Sequence, residues 1–122
     1  MGARLFFAMA KNNLAPIYIF SPKTSGQRMG YIASFAQGFV YCLARKGVTG
    51  KTTAFSADLA DYLGRCRKAT PLPLAVGFGV RDQADIDFLK GKADIAVIGS
   101  QTIRVVEEKG TAAIGNFIRS LV

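Results

Sequence analysis

The segment "PLAVGFGVRD" (73–82) ends an apolar run in Gly77-Phe78-Gly79, and "ADIAVIGSQT" (93–102) ends another in Gly99-Ser100. Glycine lets backbone amides come close to a ligand and permits positive φ. A serine opening a helix adds a hydroxyl donor to free N–H groups and to a dipole that favours an anion. Either junction alone suits a tight βα turn, and Ser100 alone suits a helix cap. Together, on consecutive strands, they point to a phosphate-holding site.

Further candidates lie between residues 41 and 58. "RKGVTGKTTAFSAD" (45–58) contains Gly47, Thr49 and Gly50. It is no P-loop, since that motif needs four residues between its glycines and only two intervene here. A connection of this composition suits a loop that closes over a ligand, and equally an ordinary surface loop. Tyr41, late in the preceding apolar run, either lines a pocket or fills core.

Acid–base and metal chemistry find little support. The chain has no histidine, which removes the commonest general base and transition-metal ligand. Its eight carboxylates are Asp58, Asp61, Asp82, Asp85, Asp87, Asp94, Glu107 and Glu108. The five from Asp58 to Asp87 fall at helix starts or on exposed helical faces. Asp94 enters a strand at the wrong end, and Glu107 and Glu108 form a solvated pair. None is placed for proton transfer to a bound substrate.

These junctions need a scaffold. "LAPIYIF" (14–20), "GFVYCLA" (38–44), "PLAVGFG" (73–79) and "ADIAVIGS" (93–100) are nearly continuous apolar runs without alternation, the pattern of parallel strands buried on both faces. Helical periodicity separates them. Ser56 is an expected N-cap, with Asp58 in the first turn and Leu59, Leu63 and Cys66 on one face. Asp82 is expected to cap a helix that points Ile86 and Leu89 inward and ends at Gly91. "GQRMGYIASFA" makes a weaker helix, and further helices are expected near 3–12, 101–109 and 111–120. The class is α/β, with β-α-β alternation that demands a parallel sheet.

Composition sets the remaining limits. At 122 residues, half of them apolar, the chain fits one globular domain spanning 1–122, with no linker or repeat. No apolar run reaches the ~20 residues of a membrane span, and "MGARLFFAMAKNN" is expected to be helix rather than leader, so the reading is cytoplasmic. The net charge of +8 is scattered, without basic runs interleaved with aromatics, which fits a solvated surface rather than nucleic-acid binding. Cys42 and Cys66 fall in a strand and on a helix face, as buried free thiols.

"GFVYCLARKGVTG", "PLPLAVGFGVRD" and "ADIAVIGSQTIRVVEE", in this order and spacing, resemble the C-terminal half of the tryptophan synthase alpha chain; "NNLAPIYIFSP" resembles the family's fifth-strand region. The likeness runs from about residue 3 to 120. It implies strands 5 to 8 of a (β/α)8 TIM barrel, a half barrel of four parallel strands with helices. It also implies a lyase fold of tryptophan biosynthesis that splits indole-3-glycerol phosphate into indole and glyceraldehyde 3-phosphate without a cofactor of its own. The phosphate positions of the family match Gly50, Gly77, Phe78, Gly79, Gly99 and Ser100. Thr49 matches the threonine of a lid loop, and Tyr41 a tyrosine facing the cleft.

The family's catalytic glutamate and aspartate belong to the second strand and its loop, to which none of these residues corresponds. The resemblance thus implies no catalytic residue here, and little or no activity from these residues alone. Expected partners are indole-3-glycerol phosphate, a tryptophan synthase beta chain, and a separate N-terminal half barrel or a second copy to cover an apolar concave face. A non-catalytic phosphate-binding or interaction fragment is the alternative. Other phosphate-handling barrels share the glycine-ended last strands, but "GVTG" after the sixth strand argues against them. Phe39 and Ala44 replace more polar family residues, and Ser21-Pro22-Lys23-Thr24 follows the family's loop only loosely.

Overall fold

A computed structural model describes residues 2–44, 57–77 and 79–122. Helix α1 (Gly2–Lys11) precedes strand β1 (Tyr18–Phe20); α2 (Gly26–Ala33), β2 (Val40–Leu43), α3 (Ala57–Ala69) and β3 (Leu74–Gly77) follow. Then come α4 (Gln83–Leu89), β4 (Ile95–Val97), α5 (Ser100–Lys109), a 3-10 turn (Thr111–Ala113) and α6 (Ile114–Ser120). The strands form one parallel sheet in the order β1-β2-β3-β4.

The register sorts the strand residues by face. Phe20, Cys42, Val76 and Ala96 stand in one row across the sheet; Ile19, Tyr41, Ala75 and Ile95 form the next row, on the other side. The first row packs against Met29 of α2, Leu59, Tyr62, Leu63 and Cys66 of α3, and Leu89 of α4, which together make the core. The opposite face is bare. Ile19 is 58% exposed, Leu43 and Ile95 are each 43% exposed, and Val97 is 37% exposed. The expectation of two buried faces therefore fails: the apolar runs carry the residues for two covered faces, but the described helices cover only one. The exposed apolar face foreseen for a half barrel is present.

The strands are also shorter than the apolar runs. Residues 14–17 stay outside β1, and Leu14 is exposed. Helix ends follow local chemistry. The Ser25 hydroxyl accepts the Arg28 amide at 3.1 Å and starts α2, a cap the sequence reading missed. Asp82 caps α4 as expected, accepting the Asp85 amide at 3.1 Å. Leu59, Leu63 and Cys66 of α3 turn inward as expected; Ser56, the N-cap expected for that helix, lies outside the described residues. Arg65 of α3 donates to the carbonyls of Thr24 (2.8 Å) and Pro22 (3.0 Å), which ties the turn after β1 to the helix layer.

At the amino end of β3 and β4, Asp94 joins two elements. Its Oδ2 accepts the Leu74 amide at 2.9 Å and Arg67 Nη1 at 3.0 Å. The Leu74 amide first, and then Arg67, hold its carboxyl below the ordinary value of 3.8. A carboxyl lowered in the folded state contributes stability above its unfolded pKa, and that contribution disappears as pH falls through the folded value. Both side chains are about half exposed, so the effect is at most about 1 kcal/mol. Asp94→Asn is expected to be slightly less stable than the parent at pH 7. The gap should close below pH 3.8, as followed by urea denaturation across the acid range.

Candidate functional site

Because β3 and β4 are adjacent and parallel, their carboxyl ends share one edge of the sheet, with Gly77 in register with Val97. Gly77 and Gly79 follow from β3, and Gly99 and Ser100 from β4, so these four residues stand at the same end. Phe78, Thr49 and Gly50 lie outside the described residues.

Tyr41 belongs to this end as well. It lies on the sheet face away from the helices, half-buried, and its ring crosses directly over Gly77. A Cβ built on Gly77 would lie 2.7 Å from Tyr41 Cζ and closer still to its Oη. Gly77 is therefore glycine for a reason the sequence does not display: any side chain there would occupy the place of the phenol. Tyr41 lies half-buried outside the core cluster, on the sheet face that the described helices leave uncovered.

Gly79 has a different constraint. Its φ is +84°, a conformation costly for residues with a Cβ, while the space around it is open. The next residues anchor that turn. Val80 is buried, and the buried Asp85 carboxylate accepts the Arg81 amide at 2.8 Å. Asp85, expected at a helix start or on an exposed helical face, lies in the first turn of α4 and is buried. Two carboxylates, Asp82 and Asp85, hold the start of α4 reciprocally, a variant of the capping box. The spacing Asp82-x-x-Asp85 was the available signal.

On the β4 side, Gly99 occupies the N-cap position of α5 and supplies no side chain to cap it. The first hydrogen bond of the helix runs from the Ile103 amide to the Gly99 carbonyl at 3.1 Å. The amides of the preceding turn are thus free of that ladder, as at any helix start. Ser100 is the first helical residue, exposed, and not itself the cap. Free amides, a hydroxyl and the positive end of the helix dipole suit an anion.

The other carboxylates stay away from this chemistry. Asp58, Asp61, Asp87, Glu107 and Glu108 are exposed on helices, with Asp87 paired to Lys90 at 3.1 Å. Asp94 is at the opposite end of the sheet, as expected. Among the described residues no cluster of three or more metal-ligating side chains occurs, and no helix is long and apolar enough to cross a membrane. A groove of about 600 Å³ between α1 and α2, lined by Phe6, Phe7, Arg28, Tyr31 and Phe35, lies away from the glycine tips.

Comparison with known proteins gives a consistent picture. A profile of the tryptophan synthase alpha chain family matches residues 3–120. The tryptophan synthase alpha chain of Desulforapulum autotrophicum is 66% identical over 114 residues, 93% of this chain and 45% of its own length. That of Syntrophotalea carbinolica is 59% identical over 114 residues, with the same two coverages, 93% and 45%. The chain spans about half the length of the curated relatives it matches. Among solved structures, the tryptophan synthase complex of Pyrococcus furiosus contains a chain that superposes with a TM-score of 0.82 at 20% identity, over 97% of this chain and 48% of that one. That likeness carries the fold: four parallel strands with their helices, half of a TIM barrel.

Proposed function

The chain belongs to the tryptophan synthase alpha chain family, and from that premise we propose that it forms the phosphate-holding half of a lyase barrel acting on indole-3-glycerol phosphate. The observation that carries this reading is the common end of β3 and β4, where Gly77, Gly79, Gly99 and Ser100 stand on neighbouring parallel strands. A phosphate there accepts hydrogen bonds from backbone amides and from Ser100 Oγ, and the amino end of α5 faces its charge. Gly50 and Phe78 complete the phosphate set by their family positions, and Thr49 belongs to the loop that closes over the substrate. Tyr41, lying across Gly77, borders the remainder of the substrate.

No carboxylate in this half serves as the acid or base of the aldol cleavage; those groups come from the other half of the barrel, and the reaction needs no cofactor. Residues 1–122 act as one domain in the cytoplasm, joined to an N-terminal half barrel and, through the assembled barrel, to a tryptophan synthase beta chain. The bare sheet face keeps a second reading in view, that of a phosphate-binding module that associates without turnover.

Calorimetric titration with glyceraldehyde 3-phosphate tests the phosphate assignment. Binding is expected for the phosphate ester and not for unphosphorylated glyceraldehyde. Ser100→Ala is expected to weaken it by about tenfold, the value of one hydrogen bond to a charged group. Equal affinity for both trioses would remove the basis of the reading.

A further inference from the structure

The sheet has two open edges. β1 and β4 each pair with a neighbour on one side only, and no strand among the described residues meets the other side. Between these edges lies the face the helices leave bare. Ile19, Tyr41, Leu43, Ile95 and Val97 stand on it, with the small residues Ala75 and Gly77 beside them. None of these strand residues is charged, so the net charge of +8 sits elsewhere and does not oppose contact here. The helices flanking the edges are apolar as well: Phe7 of α1, ahead of β1, is 73% exposed, and Ile103 of α5, behind β4, is 60% exposed. The chain exposes 8113 Å² in all, whereas a compact monomer of 13.1 kDa exposes about 6,400 Å². The excess, roughly 1,700 Å² per copy, fits one subunit's share of an obligate homodimer interface, which buries about 2,000–5,000 Å² in total.

We propose that, where no N-terminal half barrel is bound, a second copy of this chain covers the bare face and the two copies close into an eight-stranded barrel. A half turn about an axis parallel to the strands sets β4 of each copy beside β1 of the other. The rotation preserves strand direction, so both new pairings are parallel, like the three within the sheet. Each edge receives the unit its place requires. Next to β4 comes a strand with a helix before it, and next to β1 a strand with a helix after it, which continues the β-α alternation around the ring.

Eight strands is also the number at which side chains alone fill a barrel's interior. Two copies supply Ile19, Tyr41, Leu43, Ile95 and Val97 twice over for that purpose. One rotation satisfies both edges of both copies, so association stops at two rather than growing into a filament. The surface is the one assigned above to the N-terminal half barrel, and the two occupants exclude each other. The pairing does not depend on the phosphate assignment, because it uses the strand edges and the bare face, not the glycine tips.

Sedimentation equilibrium of the whole chain at micromolar concentrations tests the closed pair. The expected result is one species at twice the chain mass of 13.1 kDa. A monomer, or a ladder of ever larger species, would overturn the proposal. Ile19→Lys and Ile95→Lys alter one side chain on each edge strand, 58% and 43% exposed in the single copy, so the core is untouched. Each is expected to keep the parent's far-UV spectrum and to weaken the dimer by roughly 10²-fold or more, the effect of an unpaired charge in a closed interior. Tyr31→Lys, in the groove between α1 and α2, is expected to leave the dimer unchanged. A dimer that survives both strand variants, or dissociates with Tyr31→Lys, would place the contact elsewhere and overturn the reading. Amide exchange of the parent needs no variant: protection of β1 and β4 is expected to rise with protein concentration as the dimer forms. Protection of both strands that stays constant through that transition would equally overturn it.

Discussion

Gly77→Ala is expected to lower stability by about 1–3 kcal/mol and to abolish measurable phosphate-ester binding. The added methyl has nowhere to go but into the Tyr41 ring. Gly77 is buried in the last position of β3, hydrogen-bonded through its carbonyl to the Ala44 amide at 3.1 Å, so its backbone cannot retreat. The ring must move instead, and it moves at the same end of the sheet as the proposed site. Tyr41→Ala empties the space the methyl needs. The double variant Tyr41→Ala/Gly77→Ala is therefore expected to be more stable than the sum of the two single changes allows, with a coupling of about 1 kcal/mol or more. Urea denaturation of the four proteins measures this directly. Strict additivity would mean that the Tyr41–Gly77 contact does not govern the site. Gly79→Ala is the control: the space there is open, so only its positive φ resists, and Tyr41→Ala gives no relief.

The other large effect concerns turnover. The 122-residue chain alone is expected to release no detectable indole from indole-3-glycerol phosphate. Addition of the N-terminal half of the 66%-identical Desulforapulum autotrophicum relative is expected to raise indole release by roughly 10²-fold or more, the typical range for restoring a positioned acid–base group. The reason is local. The two carboxylates that follow Gly79 most closely, Asp82 and Asp85, are engaged with backbone amides at the start of α4. The others are exposed on helices or, for Asp94, placed at the opposite end of the sheet. Robust indole release by the chain alone, followed spectroscopically, would show that a carboxylate of this half carries the proton transfer after all.

Much of the architecture was legible because it is written locally. Apolar runs broken by helical periodicity indicate parallel strands with intervening helices, and all four strands appear within those runs. Asp82 as a cap and Leu59, Leu63 and Cys66 as an inward face follow from spacing alone. Strand extent did not follow. Hydrophobicity continues past the point where a neighbouring strand offers hydrogen-bond partners, so residues 14–17 read as strand and are not. The helix-start position of Asp85 is legible from spacing, but its burial is not, because its carboxylate has a backbone amide to satisfy inside the fold. Of the proposed site, Gly77, Gly79, Gly99 and Ser100 were recognisable as strand-end glycines and a helix-start serine; Asp85's support of the turn was not.

The residue pattern by itself determined the α/β class, the parallel sheet, the family and the strand ends that could meet a phosphate. These depend on residue type and spacing along the chain, and a short window carries them. Only the tertiary structure decided which sheet face the helices cover, that Tyr41 lies over Gly77, and that the Tyr62 hydroxyl of α3 reaches the Phe20 carbonyl of β1. Each is a contact between elements distant in sequence, set by strand register and by how α3 seats on the sheet. A side chain's local pattern states its preference for burial, but the neighbour that fills the space beside it exists only once the chain has folded.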